Sequence, residues 1–348
     1  MCGIYITNIP YTEENIKSKL ESIKHRGPDY TGFKKSNNVS LGHLRLSILD
    51  LDERSNQPME IDNYAMVFNG EIYNFQEIKE ELSILGHIFR TTGDSEVLLK
   101  GYIEWGREIV HKLNGMFAFA IYDKIKNIVF CSRDRLGQKP FYYYWKDGLF
   151  EICSQLKPIS ENKTINKDAV SIYLDCTYIP SPFSIYNDVY KLPPGNNLSI
   201  DLGNKRYKVE EYWNLKPVIP SNLSYEEAVE KVHDLFEDAV RIRLQSDVPF
   251  GSFLSGGIDS ALVTGVASKI SKDKIKTFSI GFKDPKFDES KIAKTYAGIL
   301  GTEHKETICE AKDILEMLPS LLEVYDEPFA DSSALPSLLL NKITKQDV

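Results

Sequence analysis

The chain has 348 residues, enough for two units with separate cores, and its 42% hydrophobic and 26% charged residues match an ordinary globular composition. A formal net charge of -8 argues against phosphate-backbone binding, so no nucleic-acid partner is expected. No apolar run is long enough to span a bilayer, the N-terminus lacks a signal-peptide pattern, and the five cysteines show no C-x-x-C spacing, so the expectation is a cytoplasmic protein with no membrane partner.

Up to about residue 205 the chain reads as short β-prone runs (MCGIYITNI, YAMVFNGEIY, GMFAFAIYD, NIVFCSRD, FYYYWKDGLFEICS) divided by Gly, Asn and Asp turns. Three stretches carry helical periodicity: EENIKSKLESIKH, FQEIKEELSILG and DSEVLLKGYIEWG. This pattern predicts layered sheets with a few covering helices. A proline-containing linker over 206–224 follows, and Ser224 with Glu227 three residues later forms a capping box that opens the helix SYEEAVEKVHDLFEDAVRIRL.

From residue 225 strand and helix alternate (PFGSFLS, DSALVTGVASKIS, KIKTFSIGF, ESKIAKTYAGILG), which predicts an α/β unit with a pair of parallel strands. Further helices are expected at AKDILEMLPSLLEVYD, interrupted by Pro319, and at SALPSLLLNKIT. Two strands are few for such a sheet, so the second unit reads as incomplete. The domains expected are thus 2–205, a linker 206–224, and 225–348.

Leu254-Ser255-Gly256-Gly257-Ile258-Asp259-Ser260 lies between a strand and a helix, where α/β sheets present their ligand sites. Paired glycines admit close backbone approach, and the N–H groups at the helix start suit phosphate oxygens. No lysine follows, so the Walker A spacing is not met. From the residues alone, a helix cap built on Asp259 or Ser260 remains open. In its strand-loop-helix setting the stretch resembles the pyrophosphate loop of the ATP pyrophosphatases. That resemblance implies ATP held by Leu254, Ser255, Gly256, Gly257, Asp259, Ser260 and Ile280, with Asp259 a ligand of magnesium (Mg2+).

Cys2 follows the initiator methionine directly. Removal of Met1 would leave a thiol beside its own α-amino group, whose reference pKa of about 7.7–8.0 suits it to take the thiol proton near neutral pH. An accidental cysteine is the alternative, and the company Cys2 keeps decides between them. M-C-G-I, H-R-G-P-D at 25–29, G-H-L-R-L-S-I-L-D at 42–50, F-N-G-E-I-Y-N at 68–74, G-D-S-E at 93–96, N-G-M-F-A-F-A-I-Y-D at 114–123 and S-R-D-R-L-G-Q-K-P-F-Y-Y at 132–143 follow in order. Together they resemble the class II glutamine amidotransferase domain.

The fold implied is an α+β N-terminal-nucleophile domain, an αββα sandwich, followed by an α/β ATP-pyrophosphatase domain of the adenine nucleotide α-hydrolase kind. The roles implied are Cys2 as nucleophile, the Asn69 side-chain amide and the Gly70 N–H as oxyanion hole, and Arg45, Leu46, Ser47, Ile48 and Leu49 as glutamine-binding residues. Arg45 would face the α-carboxylate, and Glu71 with Asp94 the α-ammonium group. Residue by residue, alternatives stay open: a surface ion pair for Arg45, a hairpin turn for Asn69-Gly70, a helix N-cap for Asp94, and a brace of the Cys2 loop for Arg26.

An ammonia-generating domain followed by an adenylating one resembles the glutamine-hydrolysing asparagine synthetases. F-D-E-S at 287–290 and D-E-P-F-A-D-S-S-A-L-P at 326–336 fit that family. It implies glutamine, aspartate and ATP as small-molecule substrates, Mg2+ with the nucleotide, and room for a homodimer. Amidation of another carboxylate, such as a polysaccharide uronic acid, and a non-catalytic nucleotide-binding descendant are the competing readings. The family's second Gly- and acid-rich loop is not found in the sequence, so glutamine hydrolysis is expected of this chain and completed amide synthesis is not.

Overall fold

The computed structural model describes residues 1–159 and 164–348. The chain divides into two compact units, Met1–Pro217 with Asp326–Phe329, and Val218–Tyr325 with Ala330–Val348.

The first unit holds β1 (Gly3–Thr7), α1 (Glu13–Glu21), β2 (Tyr30–Ser36), β3 (Val39–Arg45), β4 (Met59–Ile61), β5 (Tyr64–Ile72), α2 (Phe75–Ile84), α3 (Asp94–Trp105) and α4 (Ile109–Lys112). It continues through β6 (Gly115–Asp123), β7 (Ile128–Arg133), β8 (Tyr142–Lys146), β9 (Leu149–Cys153), α5 (Lys167–Cys176), β10 (Val189–Lys191), β11 (Asn196–Asp201) and β12 (Arg206–Glu211). One six-stranded sheet runs β10-β8-β9-β1-β3-β2 and the other β12-β11-β7-β6-β5-β4. The pairs within each are antiparallel.

Strand alternation explains why the β runs look almost continuously apolar. Both faces of each sheet are covered, so inward and outward positions are both hydrophobic. Ile4 and Ile6 of β1 meet Ala65, Val67, Ala118 and Ala120 of the opposite sheet in a central core. Their neighbour Tyr5 faces outward onto Ile16 and Leu20 of α1. Likewise Phe68, Phe117 and Phe119 face Ile78 and Leu82 of α2 and Val97 to Leu99 of α3. The result is four layers: helix, sheet, sheet, helix.

The second unit holds α6 (Tyr225–Arg241), β13 (Gly251–Phe253), α7 (Ile258–Ile270), β14 (Lys276–Phe282), α8 (Ser290–Leu300), β15 (Glu303–Cys309), α9 (Ala311–Val324) and α10 (Ala334–Thr344). The capping box at Ser224 and Glu227 is present, with the Ser224 hydroxyl accepting from Glu227 N–H at 3.2 Å and the Glu227 carboxylate accepting from Ser224 N–H at 2.8 Å. Strands β13, β14 and β15 form a parallel sheet in that order.

Several elements differ from the sequence reading. The parallel strands number three rather than two: the sequence EHKETIC of β15 is mostly solvent-facing and polar, so it lacks the apolar run that marks a buried strand. Helix α9 runs through Pro319 without interruption, because one missing N–H removes one helical bond while its apolar face, including buried Met317, stays packed. Residues 206–211, at the start of the expected linker, form β12 paired along β11. Asn69 and Gly70 lie inside β5 and not in a hairpin turn.

Candidate active site

Cys2 stands immediately before β1, between β9 and β3 in the sheet order. Arg26 Nε donates to Cys2 O at 3.0 Å, the bracing role left open for it. Leu46 N–H donates to the sulfur at 3.4 Å, and the thiol points back to Leu46 O at 3.7 Å. The H-R-G-P-D loop reaches this close because Gly27 lies flat against β3: a Cβ there would sit 2.3 Å from Leu44 C. Asp29 then fastens the next turn by accepting from Ser47 N–H at 2.7 Å.

One cavity of about 170 Å³ is lined by Cys2, Arg45, Leu46, Ile48, Leu49, Asn69, Gly70, Glu71 and Asp94. Ser47, though its backbone is held nearby, is not among the lining residues.

Register along β5 explains what the cavity presents. Gly70 faces Phe117 across the β5-β6 pair, and Phe117 turns its own groups away, donating N–H to Asp134 Oδ2 at 3.3 Å and accepting from Asp134 N–H at 2.8 Å. Gly70–Phe117 is therefore a non-hydrogen-bonded pair, and the Gly70 N–H points to the opposite edge of β5. There β4 pairs only with Tyr64 to Met66, so the edge beyond is open. The same-facing N–H groups two residues away are taken by side chains: Phe68 N–H donates to Gln57 Oε1 at 2.6 Å, and Ile72 N–H to Asp94 Oδ2 at 2.9 Å. Gly70 lies between them. Beside it the Asn69 side chain is 1% exposed, and its Nδ2 has no partner. Two donors thus border the cavity at the level of a buried strand edge.

The charges are arranged around them. The Arg45 guanidinium lies against neutral acceptors, Asp52 O at 3.0 Å, Asn56 Oδ1 at 2.8 Å, Leu49 O at 3.3 Å and Asp50 O, which shape the 49–56 loop and leave its charge unneutralised by them. Burial pushes the Asp94 carboxyl up to about 7, and the Glu71 carboxylate adds to the rise. Glu71 is itself raised by burial, against the pull of Lys139 and the terminal amine. Burial lowers the α-amino group of Met1 to about 6 and raises the Cys2 thiol, whose ionisation the Leu46 N–H favours.

Lys139, Gln57, Ser95 and Met116 also line the cavity, although the sequence reading assigned them nothing. Lys139 is placed by the turn at Asp134, whose carboxylate accepts from Leu136, Gln138 and Lys139 N–H groups at 3.2, 2.9 and 3.0 Å. Arg133 and Arg135 are used structurally, donating to Lys139 O, Leu192 O and Gly137 O, and to Leu113 O.

In the second unit the loop after β13 is held by its own serines. Ser255 and Ser260 hydroxyls lie 2.9 Å apart, and Gly257 N–H donates to Ser255 Oγ at 3.1 Å. Gly256 N–H donates to Glu289 Oε2 at 3.0 Å, which shows the loop backbone already receiving an anionic oxygen. Leu254, Ser255, Ser260 and Ile280 line a cavity of about 420 Å³ together with Phe278, Ser279 and Glu289; Gly256, Gly257 and Asp259 are not among the lining residues. Among the described residues no group of three His, Cys, Asp or Glu side chains is set to hold a metal ion.

The family model for the glutamine amidotransferase domain matches residues 1–213, and that for asparagine synthase residues 231–348. A relative from Methanocaldococcus jannaschii, carrying a provisional name as a glutamine-hydrolyzing asparagine synthetase, is 40% identical over 100% of this chain and 72% of its own. The chain belongs to the glutamine-hydrolyzing asparagine synthetase family. Asparagine synthetase 1 of Bacillus subtilis is 37% identical over 97% of this chain and 53% of its own, and asparagine synthetase 3 of the same organism is 32% identical over 94% and 57%. The chain thus spans between about half and three quarters of the length of these relatives. Family membership gives the two units their class: an N-terminal-nucleophile amidotransferase domain and a synthetase domain.

Proposed function

We propose that the first unit hydrolyses the side-chain amide of glutamine, with Cys2 as nucleophile once Met1 has been removed, and that the ammonia serves ATP-dependent amidation of aspartate. The carrying observation is the pair of unfilled donors, the outward N–H of Gly70 and the buried Asn69 amide, in the cavity that also holds Cys2.

In this reading the α-amino group of Cys2, in its neutral form, takes the thiol proton while sulfur attacks the amide carbon. The carbonyl oxygen becomes an oxyanion between Asn69 and Gly70, where preplaced donors stabilise charge that exists only in the transition state. The C–N bond breaks as the proton passes to the leaving nitrogen, releasing ammonia, and water then cleaves the thioester to glutamate. Arg45 meets the α-carboxylate, while Glu71 and Asp94 meet the α-ammonium group.

In the second unit the phosphates of ATP would lie at Ser255 to Ser260, a phosphate oxygen replacing the Glu289 carboxylate that the Gly256 N–H meets, with Leu254 and Ile280 beside the base. Asp259 would supply one carboxylate to Mg2+ carried by the nucleotide. ATP then activates the acceptor carboxylate by adenylation.

The test is glutamate release from glutamine by the purified chain, with mass spectrometry of its N-terminus. Loss of Met1 and complete loss of glutamate release in Cys2→Ala are the expected outcomes. Full activity with Met1 retained would overturn the mechanism. On a chain extended to the length of its relatives, pyrophosphate release with aspartate but not with uronic acids identifies the acceptor.

A further inference from the structure

The open edge of β5 raises a physical problem, because a strand that loses its neighbour leaves peptide groups without partners and free to twist. β4 covers the edge only to Met66. The next outward-facing residue is Phe68, and there two side chains replace the absent strand. Gln57 Oε1 accepts the Phe68 N–H at 2.6 Å, and His43 Nε2–H donates to the Phe68 C=O at 3.0 Å. Both are deeply placed: His43 is fully buried and Gln57 is 5% exposed.

We propose that His43 and Gln57 are positioning residues for amide hydrolysis, clamping the Phe68 peptide from both sides and thereby aiming the Asn69 amide and the Gly70 N–H at the oxygen of the carbonyl that Cys2 attacks. The proposal rests on the glutamine-hydrolysis reading and adds to it the residues that hold the donors still.

Three further observations support it. The His43 ring is neutral, since burial pushes its pKa down to about 4, and a carbonyl partner requires its proton on Nε2. Gln57 is held from its other end by donating Nε2–H to Ser95 Oγ at 3.3 Å, next to Asp94, which secures Ile72 N–H. The Gly70 N–H is therefore bracketed on the same edge by two side-chain anchors. Finally, β6 lies so close to Gly70 that no side chain fits there, a Cβ falling 2.2 Å from Met116 O and 2.8 Å from Phe117 Cα, so the peptide between the two anchors is packed directly against its neighbour.

A donor that is misaimed affects the transition state and leaves ground-state binding alone, so the effect should appear in kcat and not in KM. The experiment measures glutamate release by Gln57→Met and His43→Phe, beside the conservative Gln57→Glu and His43→Gln, which keep an acceptor and a donor respectively. Iodoacetamide alkylation of Cys2 is followed in parallel. The expected result is a kcat lower by about tenfold to a hundredfold in the first two, less than the loss of a whole oxyanion donor. KM and the alkylation rate should stay within about twofold of the parent, and the conservative variants should recover most of the activity.

In an Asn69→Ala background Gln57→Met should cost less than in the parent, because the donor it aims is gone. Unchanged kcat, or a fall in kcat matched by changes in KM and alkylation, overturns the clamp, as does full additivity with Asn69→Ala. Should His43→Phe fail to fold, Gln57→Met with the Asn69 cycle decides alone. A parent chain that releases no glutamate overturns the hydrolysis reading itself; an active parent with unaffected variants overturns only the clamp.

Discussion

Asp94 carries two duties with one carboxylate. It accepts the Ile72 N–H and lines the cavity where an ammonium group is expected, and burial has raised its pKa to about 7. Against an unfolded value near 3.9, the folded chain holds the proton more tightly between about pH 4 and pH 7, so stability falls as pH rises through that window. Asp94→Asn keeps an oxygen for Ile72 and removes the ionisation. Its melting temperature should exceed the parent's at pH 8, with the difference vanishing near pH 4. Function should move the other way. In the parent the KM for glutamine should rise as pH drops through about 7, and in the variant it should be at least about tenfold higher and flat with pH. A parallel pH profile in both chains would remove Asp94 from the ammonium site. The sequence made Asp94, Cys2 and Asn69 visible because their motifs occur in order. Gln57 and His43 were not visible as partners of Phe68, because their role follows from where β4 stops, and strand pairing is not written in any local pattern. Lys139 stood within a quoted motif, yet its place in the cavity depends on the turn around Asp134.

At the scale of elements, local chemistry was legible where ends and faces are marked. The capping box of α6 could be read from Ser224 and Glu227 and is formed with both reciprocal bonds. Ser224→Ala should lower the stability of the second unit by about 1 kcal/mol, as measured by denaturant unfolding of that unit, and leave glutamate release unchanged. An equal effect on the first unit would contradict the division into two cores. The strands of the first unit were legible for a different reason: both faces are buried, so Ile4, Tyr5 and Ile6 are all apolar although they point alternately to two cores. The same reasoning fails for a strand with wet faces. Helix α9 illustrates the complementary error, since a proline weighs heavily in a local reading while packing of the surrounding turns outweighs it.

Across the whole chain two architectures follow one another, antiparallel layers first and a parallel sheet afterwards, and the antiparallel layers run on through β12, past the texture change near residue 205. The parity of β5, the end of β4 and the start of α3 converge on one cavity from segments far apart in sequence: residues 2, 45, 69 to 71 and 94. Such convergence is topological: the family resemblance named these residues together, and the fold is what brings them to one cavity. In the second unit the loop after β13 was legible as a loop from its glycines and serines, whereas the carboxylate of Glu289 resting on it was not.

The polarity that hid β15 from a hydrophobic reading has a colloidal consequence. It forms one margin of the three-stranded sheet, and its Glu303, Lys305 and Glu306 place charges along a backbone edge that could otherwise recruit strands from other copies. Replacing Lys305 and Glu306 by valine would make the strand easier to recognise and the protein harder to keep in solution. Light scattering should show concentration-dependent aggregates in that variant and none in the parent, so the least legible strand is also the guard against polymerisation.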